Sequence, residues 1–477
     1  MSLTVIDPRT GQVDYSITPL DEAQIAQQTA ALRRAQVGWA EQPAEQRATA
    51  LRAFAEAMGH HRAALIEALT NDTGRAAISA IEVDAMTRAL IRWADSAPAI
   101  IRAAQVQDRP TGIPAITTTT RLVPYALVGV ISPWNFPLTL ALIDAIPALA
   151  AGSAVIIKPS EVTPRFIRPL MAAIAEVPDI AGVLTLIEGD GATGAALVDH
   201  VDFIAFTGSV ATGRKVGEAA ARAFIPASLE LGGKDPMLIL ASADPEKAAD
   251  IALRASVLNT GQACQSIERV YVARAIAEPF LVALARKAQA ARLNYPDVHA
   301  GDIGPFIFGK QAVIVQAQID DAVAKGARIL AGGQVETLGG GQYLRPTVLV
   351  DVTPGMAIME EETFGPVIPV SLFDTEDEAV AHANSGIFGL SAAVIAGSTQ
   401  EAEAVAVRLN VGGVSINDGS LTGLVWEAEK SSFGKSGLGP SRMGESGLLR
   451  FFRRQALIRQ SGNALPLAAY SEEALGG

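Results

Sequence analysis

From Leu20 to about Gln105, apolar residues recur every three or four positions among Ala, Glu, Gln and Arg, most clearly in "ATALRAFAEAMGHHRAALIEALT". That spacing lines one face of a helix, so the region predicts several helices. Ala115–Tyr125, "AITTTTRLVPY", is β-branched and half polar, the pattern of an exposed or edge strand. After Ala126 the period changes. The runs "LVGVIS", "AVIIKPS", "VLTLIEG", "FIAFTGS" and "ASLELGG" are apolar at nearly every position, with helical segments beginning near Leu138, Thr163, Ala192 and Ser209. Strands apolar on both faces, separated by helices, imply a parallel sheet covered on both sides. Right-handed crossovers make this a doubly wound α/β unit of the nucleotide-binding type. A second block of the same kind, with "MLILAS", "RVYVAR", "VIPVSLF", "SAAVIAG" and "VGGVSIN", runs from about Asp235 to Ser415. Between them Gly232–Gly233 reads as a hinge, and Gly332–Gln342 reads as a surface loop.

At 477 residues the chain is long enough for two or more domains. A net charge of −12 without a long basic run excludes the electrostatic footprint of a nucleic-acid binder. The stretch "LTLALIDAIPALAAGSAVII" contains Asp144, Pro147 and Gly152, so it reads as a buried helix followed by a buried strand, not as a membrane span. The start "MSLTVIDPRTGQV" has no secretory pattern, and a single cysteine cannot form an internal disulfide. A soluble, cytoplasmic protein is the expectation. The five histidines show no metal-ligand spacing, and no metal site is assigned.

That cysteine, Cys264 in "LNTGQACQS", is either an inert core thiol or a nucleophile. Three strand ends carry candidate cofactor chemistry. "GDGATG" (Gly189–Gly194) fits the dinucleotide fingerprint, but the next strand ends "FIAFTGS" without the expected acidic residue, so a plain turn is an equal reading. "KPSE" places Lys158 and Glu161 where ribose hydroxyls bind. "FTGSVATG" sets Gly208 and Ser209 at a helix start, where free N–H groups and the dipole favour a pyrophosphate.

The motifs "PWNFP" (Pro133–Pro137), "KPSE", "FTGS", "ELGGK" (Glu230–Lys234), "GQAC" (Gly261–Cys264) and "EETFGP" (Glu361–Pro366) follow one another in this order. In this series the chain resembles the NAD(P)-dependent aldehyde dehydrogenase superfamily. "GDIGPF" and "RPTVLVDV" extend the likeness over nearly the whole chain. The resemblance implies an aldehyde dehydrogenase-like α/β fold with two Rossmann-type parallel-sheet domains and a small β oligomerisation element. The NAD-binding domain would comprise residues 1–110 and 125–232, the catalytic domain 233–435, and the oligomerisation element 111–124 and 448–477.

It also implies site roles. Cys264 attacks the aldehyde, Asn135 and the Cys264 N–H stabilise the oxyanion, and Glu230 is the general base that releases the acid. Lys158 and Glu161 clamp the adenosine ribose, Trp134 and Leu231 line the cleft, and Gly208 and Ser209 face the pyrophosphate. Glu362 and Phe364 hold the nicotinamide ribose and ring. A carboxylate at 161 repels a 2′-phosphate, which favours NAD over NADP. For the aldehyde tunnel the candidates are Phe136, Leu140, Ile143, Gln265 and Trp426. They are mostly apolar and include no arginine, which favours a hydrophobic, aromatic or long-chain aldehyde over an anionic semialdehyde.

One stretch departs from the family pattern. The loop "SSFGKSGLGPSRMGESG" (Ser431–Gly447) is shorter than the usual "PFGGxKxSG" form. Two further readings stand beside hydrolytic oxidation: a coenzyme A-acylating relative, whose members usually lack a glutamate at the place of Glu230, and a non-catalytic protein keeping only the fold. The strand Ala115–Tyr125 and the tail from Leu448 together predict a bridging element and a homodimer or homotetramer.

Overall fold

Residues 2–471 are described by the computed structural model. The five runs of the first block form parallel strands of one sheet. Its spatial order is Gly437–Leu438, Ala227–Glu230, Phe203–Thr207, Leu127–Ile131, Ala154–Lys158, Leu184–Leu186. The chain starts at Leu127–Ile131, builds outward through Ala154 and Leu184, then returns to the other flank at Phe203. Strand order therefore reverses beside Leu127–Ile131, the place in an open α/β sheet where ligands bind beyond the carboxyl ends. Ser132, Lys158, Thr207 and Glu230 all lie at those ends.

Helix Pro137–Ala151 leaves the central strand, and all of its fifteen residues except Thr139 are buried. A helix apolar all round must lie inside the molecule. Each fully buried leucine on it, such as Leu138 or Leu142, contributes about 1.5–3 kcal/mol. The same helix carries Asp144 into the interior, where a charge needs partners.

The second block forms a sheet ordered Arg328–Ala331, Thr347–Val350, Val367–Phe373, Ile267–Ala273, Asp235–Ile239, Ser391–Ile395, Gly413–Ile416. Only its first strand is antiparallel to its neighbour. After leaving this sheet the chain returns to the first, where Gly437–Leu438 runs antiparallel to Ala227–Glu230. That return brings the aberrant 431–447 segment next to Glu230.

Ile116–Pro124 is a strand, and its partner is the tail. It pairs antiparallel with Phe452–Gln460 over nine residues and with Arg109–Pro110 on its other edge. Apart from Phe452, the tail strand is exposed along its whole length. Residues 472–477 of the expected element, and Met1, lie outside the described residues.

Two local differences have physical causes. The helix expected near Thr163 starts at Ile167, because Asp72 takes the Arg165 backbone N–H at 2.7 Å and pairs with its guanidinium, holding 163–166 irregular. An N-terminal hairpin, Leu3–Ile6 with Val13–Ile17, has too short an alternation to announce itself. Among the described residues no helix is long and apolar enough to cross a membrane.

Candidate active site

Helix Pro245–Val257 stops just short of Cys264, and the chain turns through three successive left-handed residues: Asn259 (φ 58°), Thr260 (57°) and Gly261 (67°). Such conformations cost about 1–3 kcal/mol at a non-glycine residue, so the surroundings must impose them. They do. The Asn259 amide donates to the carbonyls of Asn135 and Gln262, both at 3.0 Å. Buried Arg75 donates to Asn259 Oδ1 at 2.6 Å and to Thr260 Oγ1 at 3.2 Å. At Gly261 a Cβ would lie 2.2 Å from the Gly365 carbonyl oxygen, and at Gly233 it would lie 2.8 Å from that of Cys264. Glycine is required at both close approaches.

Cys264 itself is half-buried on the wall of a cleft of about 300 Å³ at the ends of the two sheets. Burial pushes its thiol up to about 12; Lys430 and Arg442 pull it down, and Asp235 and Glu362 push it further up. At neutral pH the thiol is protonated, so reactivity has to be unlocked by what enters the cleft or by a base. Asn135 lines the same cleft; its Nδ2 donates to the Gln262 carbonyl at 2.9 Å, which leaves the second amide N–H for another acceptor.

At the carboxyl ends of the first sheet lies a set of groups suited to a dinucleotide, of which Gly208, Ser209 and Leu231 line the cleft. Buried Lys158 donates to the carbonyls of Gly189 and Asp190, both at 3.2 Å, and reaches Glu161 Oε2 at 3.4 Å. Burial lowers the Lys158 pKa and Glu161 opposes that shift. Asp190 caps helix Gly191–Val198, so "GDGATG" is a capped turn whose carbonyls hold the lysine. Ser209 caps helix Val210–Ala223, whose N-terminal end opens on the cleft. Gly208 has to be glycine, since a Cβ there would be 2.6 Å from the Phe206 ring.

Opposite, the Glu362 carboxylate accepts from the Gly233 N–H at 3.1 Å, 2.5 Å from where a Gly232 Cβ would sit. Burial, then the nearby Glu268, push the Glu362 carboxyl up to about 8. Glu268 pins this loop by accepting the Thr363 and Phe364 N–H groups, both at 2.8 Å, and is itself held by Lys234 at 2.9 Å. Trp134 meets Phe364 edge-on at 5.5 Å between centroids, and Leu231 completes this part of the wall. A buried cation, a helix N-terminus, a carboxylate over a glycine and two aromatic rings fit the ribose, phosphate and ring groups of a dinucleotide.

Glu230 ends its strand with its side chain 16% exposed, turned toward the 431–447 segment. Its Oε2 accepts from Ser432 Oγ at 3.1 Å, and its Oε1 lies 4.0 Å from Arg442 Nε. Sequence reasoning missed Ser432 and Arg442. Their stretch was visible as a departure, but not its pairing with distant Asp144 and Thr207. The tunnel candidates scatter. Leu140 lines the cleft, Phe136 precedes helix Pro137–Ala151, Ile143 is buried within it, and Gln265 accepts from Thr422 Oγ1 at 2.6 Å. Trp426 does not line this cleft; it packs against the hydrophobic cluster around the first sheet, with the Arg92 guanidinium 4.7 Å above its ring.

The model of the aldehyde dehydrogenase family matches residues 1–457. A Mycolicibacterium smegmatis protein named "Putative succinate-semialdehyde dehydrogenase", with NADP(+) in its name, is 36% identical over 91% of this chain and 84% of its own. "4,4'-diapolycopene aldehyde oxidase" of a Methylomonas species is 36% identical over 96% and 84%. Among solved structures, "Putative Aldehyde Dehydrogenase PutA" of Anabaena variabilis is 51% identical with a TM-score of 0.95, over 98% of this chain and 99% of its own. Betaine aldehyde dehydrogenase of Staphylococcus aureus, solved with NAD+, is 30% identical with a TM-score of 0.90, over 97% and 93%. With the family model spanning nearly the whole chain, and relatives agreeing in sequence and in fold, this protein belongs to the aldehyde dehydrogenase family of oxidoreductases.

Proposed function

We propose that the chain oxidises an aldehyde to its carboxylic acid with NAD, through a thioester on Cys264 that is hydrolysed with Glu230 as general base. The observation that carries this reading is one cleft lined by Cys264, Asn135, Glu362 and Phe364 together. As the Cys264 sulfur adds to the carbonyl carbon its thiol proton passes to water in the cleft, and the oxyanion is met by the free Asn135 N–H and the Cys264 backbone N–H. One such donor is worth about 2.7–4 kcal/mol of barrier. Lys158, Glu161, Ser209, Glu362 and Phe364 would hold the nicotinamide cofactor, which when bound would supply the acceptor for the hydride. Glu230 then takes a proton from water as the water oxygen adds to the thioester carbon, and Cys264 leaves as the acid forms.

NAD is favoured by the Glu161 carboxylate, which lies where Lys158 holds it and would oppose a 2′-phosphate. An apolar aldehyde is supported by Leu140, which lines the cleft. A second reading, a carboxylated semialdehyde, is favoured by the charges of Lys430 and Arg442, which act on Cys264. The exposed tail strand supports a dimer, or a pair of dimers, in which this sheet extends across subunits.

The test is a panel of neutral and carboxylated aldehydes followed by NADH absorbance, with and without coenzyme A. Turnover without coenzyme A is expected, fastest on neutral apolar aldehydes. NADH formation that requires coenzyme A overturns the hydrolytic reading, and a preference for carboxylated aldehydes selects the second one.

A further inference from the structure

The segment that departs from the family pattern supplies a buried charge network beside Glu230. The Arg442 side chain is 11% exposed. Its Nη2 donates to Asp144 Oδ2 at 2.6 Å and to Thr207 Oγ1 at 2.7 Å. The other Asp144 oxygen takes fully buried Arg450, which also donates to Ser228 Oγ at 2.8 Å, two residues before Glu230 on the same strand. Burial pushes the Asp144 carboxyl up, yet the two arginines hold it below its ordinary value. Burial works against the Arg442 charge as well, and Asp144 and then Glu230 more than offset it.

Two cations therefore share one buried aspartate, and Glu230 is the remaining carboxylate facing them. A purely structural role, stapling the 431–450 segment to helix Pro137–Ala151, accounts for the bonds to Asp144. It does not account for Arg442 Nε. That N–H is buried, has no hydrogen-bond partner, and lies 4.0 Å from Glu230 Oε1. A buried donor without an acceptor is costly to keep, and here the nearby acceptor is an anion whose other oxygen is held by Ser432.

We propose that Arg442 is a positioning residue for the general base: its Nε–H and charge, with the Ser432 hydroxyl, orient the Glu230 carboxylate for attack of water on the thioester. The inference rests on the reading of Glu230 as that base. Arg442 makes no hydrogen bond to Cys264 and its charge is the smallest of the named influences on that thiol, so its removal acts mainly on deacylation and only weakly on the first hydride transfer. Lysine has no planar fork with which to serve Asp144 and Glu230 together, so Arg442→Lys restores the charge but only part of the orientation.

The test compares Arg442→Met, Arg442→Lys, Ser432→Ala and Arg450→Lys in the full chain by stopped-flow NADH formation at saturating NAD and aldehyde. Melting temperature is recorded alongside. For Arg442→Met the steady-state rate is expected to fall about 10- to 50-fold, within the range general-base catalysis commands. First-turnover hydride transfer should stay within about threefold, so that a burst near one NADH per site appears. Arg442→Lys should regain part of the rate, and Ser432→Ala should show a smaller burst. Arg450→Lys, which disturbs the bonds to Asp144 and Ser228 and not the Arg442 Nε contact, should lower the melting temperature without a burst. In a Glu230→Gln background, Arg442→Met should add nothing to the steady-state loss. Equal slowing of first turnover and steady state, or full additivity with Glu230→Gln, overturns the proposal. If Arg442→Met does not fold, absence of a burst in both Arg442→Lys and Ser432→Ala overturns it. A burst in Glu230→Gln without one in the Arg442 variants refutes this inference alone, whereas no burst in Glu230→Gln refutes the base assignment beneath it.

Discussion

The two stretches that reach the reaction centre are built in opposite ways. The turn before Cys264, Leu258–Gln262, is almost wholly buried, holds three left-handed residues, and is fixed by Asn259, Arg75 and close glycine contacts. The stretch 418–447 mixes exposed and half-buried residues, is mostly irregular, and meets the site through Ser432, Arg442 and Lys430. Strain and burial thus fix the turn that carries the sulfur, while an irregular segment anchored through Arg442 brings Ser432 and Lys430 near Glu230 and the thiol. A rigid nucleophile suits one attack geometry for every aldehyde, and a tunable loop suits differences in substrate and in deacylation rate.

The comparison breaks most completely at the sulfur. Cys264→Ala should lower NADH formation by at least about 10⁴-fold while NAD still binds, as fluorescence titration would report. Retained turnover would remove the nucleophile from the account. Next, Asn135→Ala should slow the first hydride transfer by about 10²–10³-fold, the price of one oxyanion donor, and stopped-flow absorbance measures it directly. A smaller loss would mean that the backbone N–H suffices.

The rigidity of the thiol turn is probed by Arg75→Met. Losing a buried charged donor to Asn259 and Thr260 should destabilise the chain by about 1.5–3 kcal/mol in denaturant unfolding. It should also slow hydride transfer, because the left-handed turn relaxes. The tunable side is probed by alkylation. With the thiol pushed up to about 12 by burial, iodoacetamide inactivation of the cofactor-free enzyme should rise with pH without a plateau below about pH 10. Lys430 lowers the thiol pKa, so Lys430→Met should slow inactivation at every pH tested, and an unchanged profile would remove Lys430 from the thiol's surroundings. The smallest effect belongs to Glu161, which is exposed enough for solvent to screen it. Glu161→Gln should shift the NAD/NADP preference by about fivefold toward NADP.

The two regions also differed in how much of them could be read from the sequence. Lys158, Gly208, Ser209 and Cys264 sit on short strand–turn–helix or loop–strand junctions, where local pattern and chemistry coincide. The parallel sheets were legible for the same reason, since uninterrupted apolar runs between helices permit few alternatives. Arg442 was not legible, because its partners Asp144 and Thr207 lie about three hundred and more than two hundred positions away, and only the return of Gly437–Leu438 to the first sheet brings them together. Asn259 and Arg75 went unnoticed because a pinned left-handed turn leaves no periodic signal.

The central claim, that Glu230 releases an acid from Cys264, is tested most directly by intact-protein mass after mixing Glu230→Gln with NAD and a reactive aldehyde. The account predicts that the chain gains the mass of one acyl group, that Cys264 carries it, and that the adduct forms with one equivalent of NADH. Loss of NADH formation with no mass gain, or an unmodified chain that turns over at the parent rate, would contradict it.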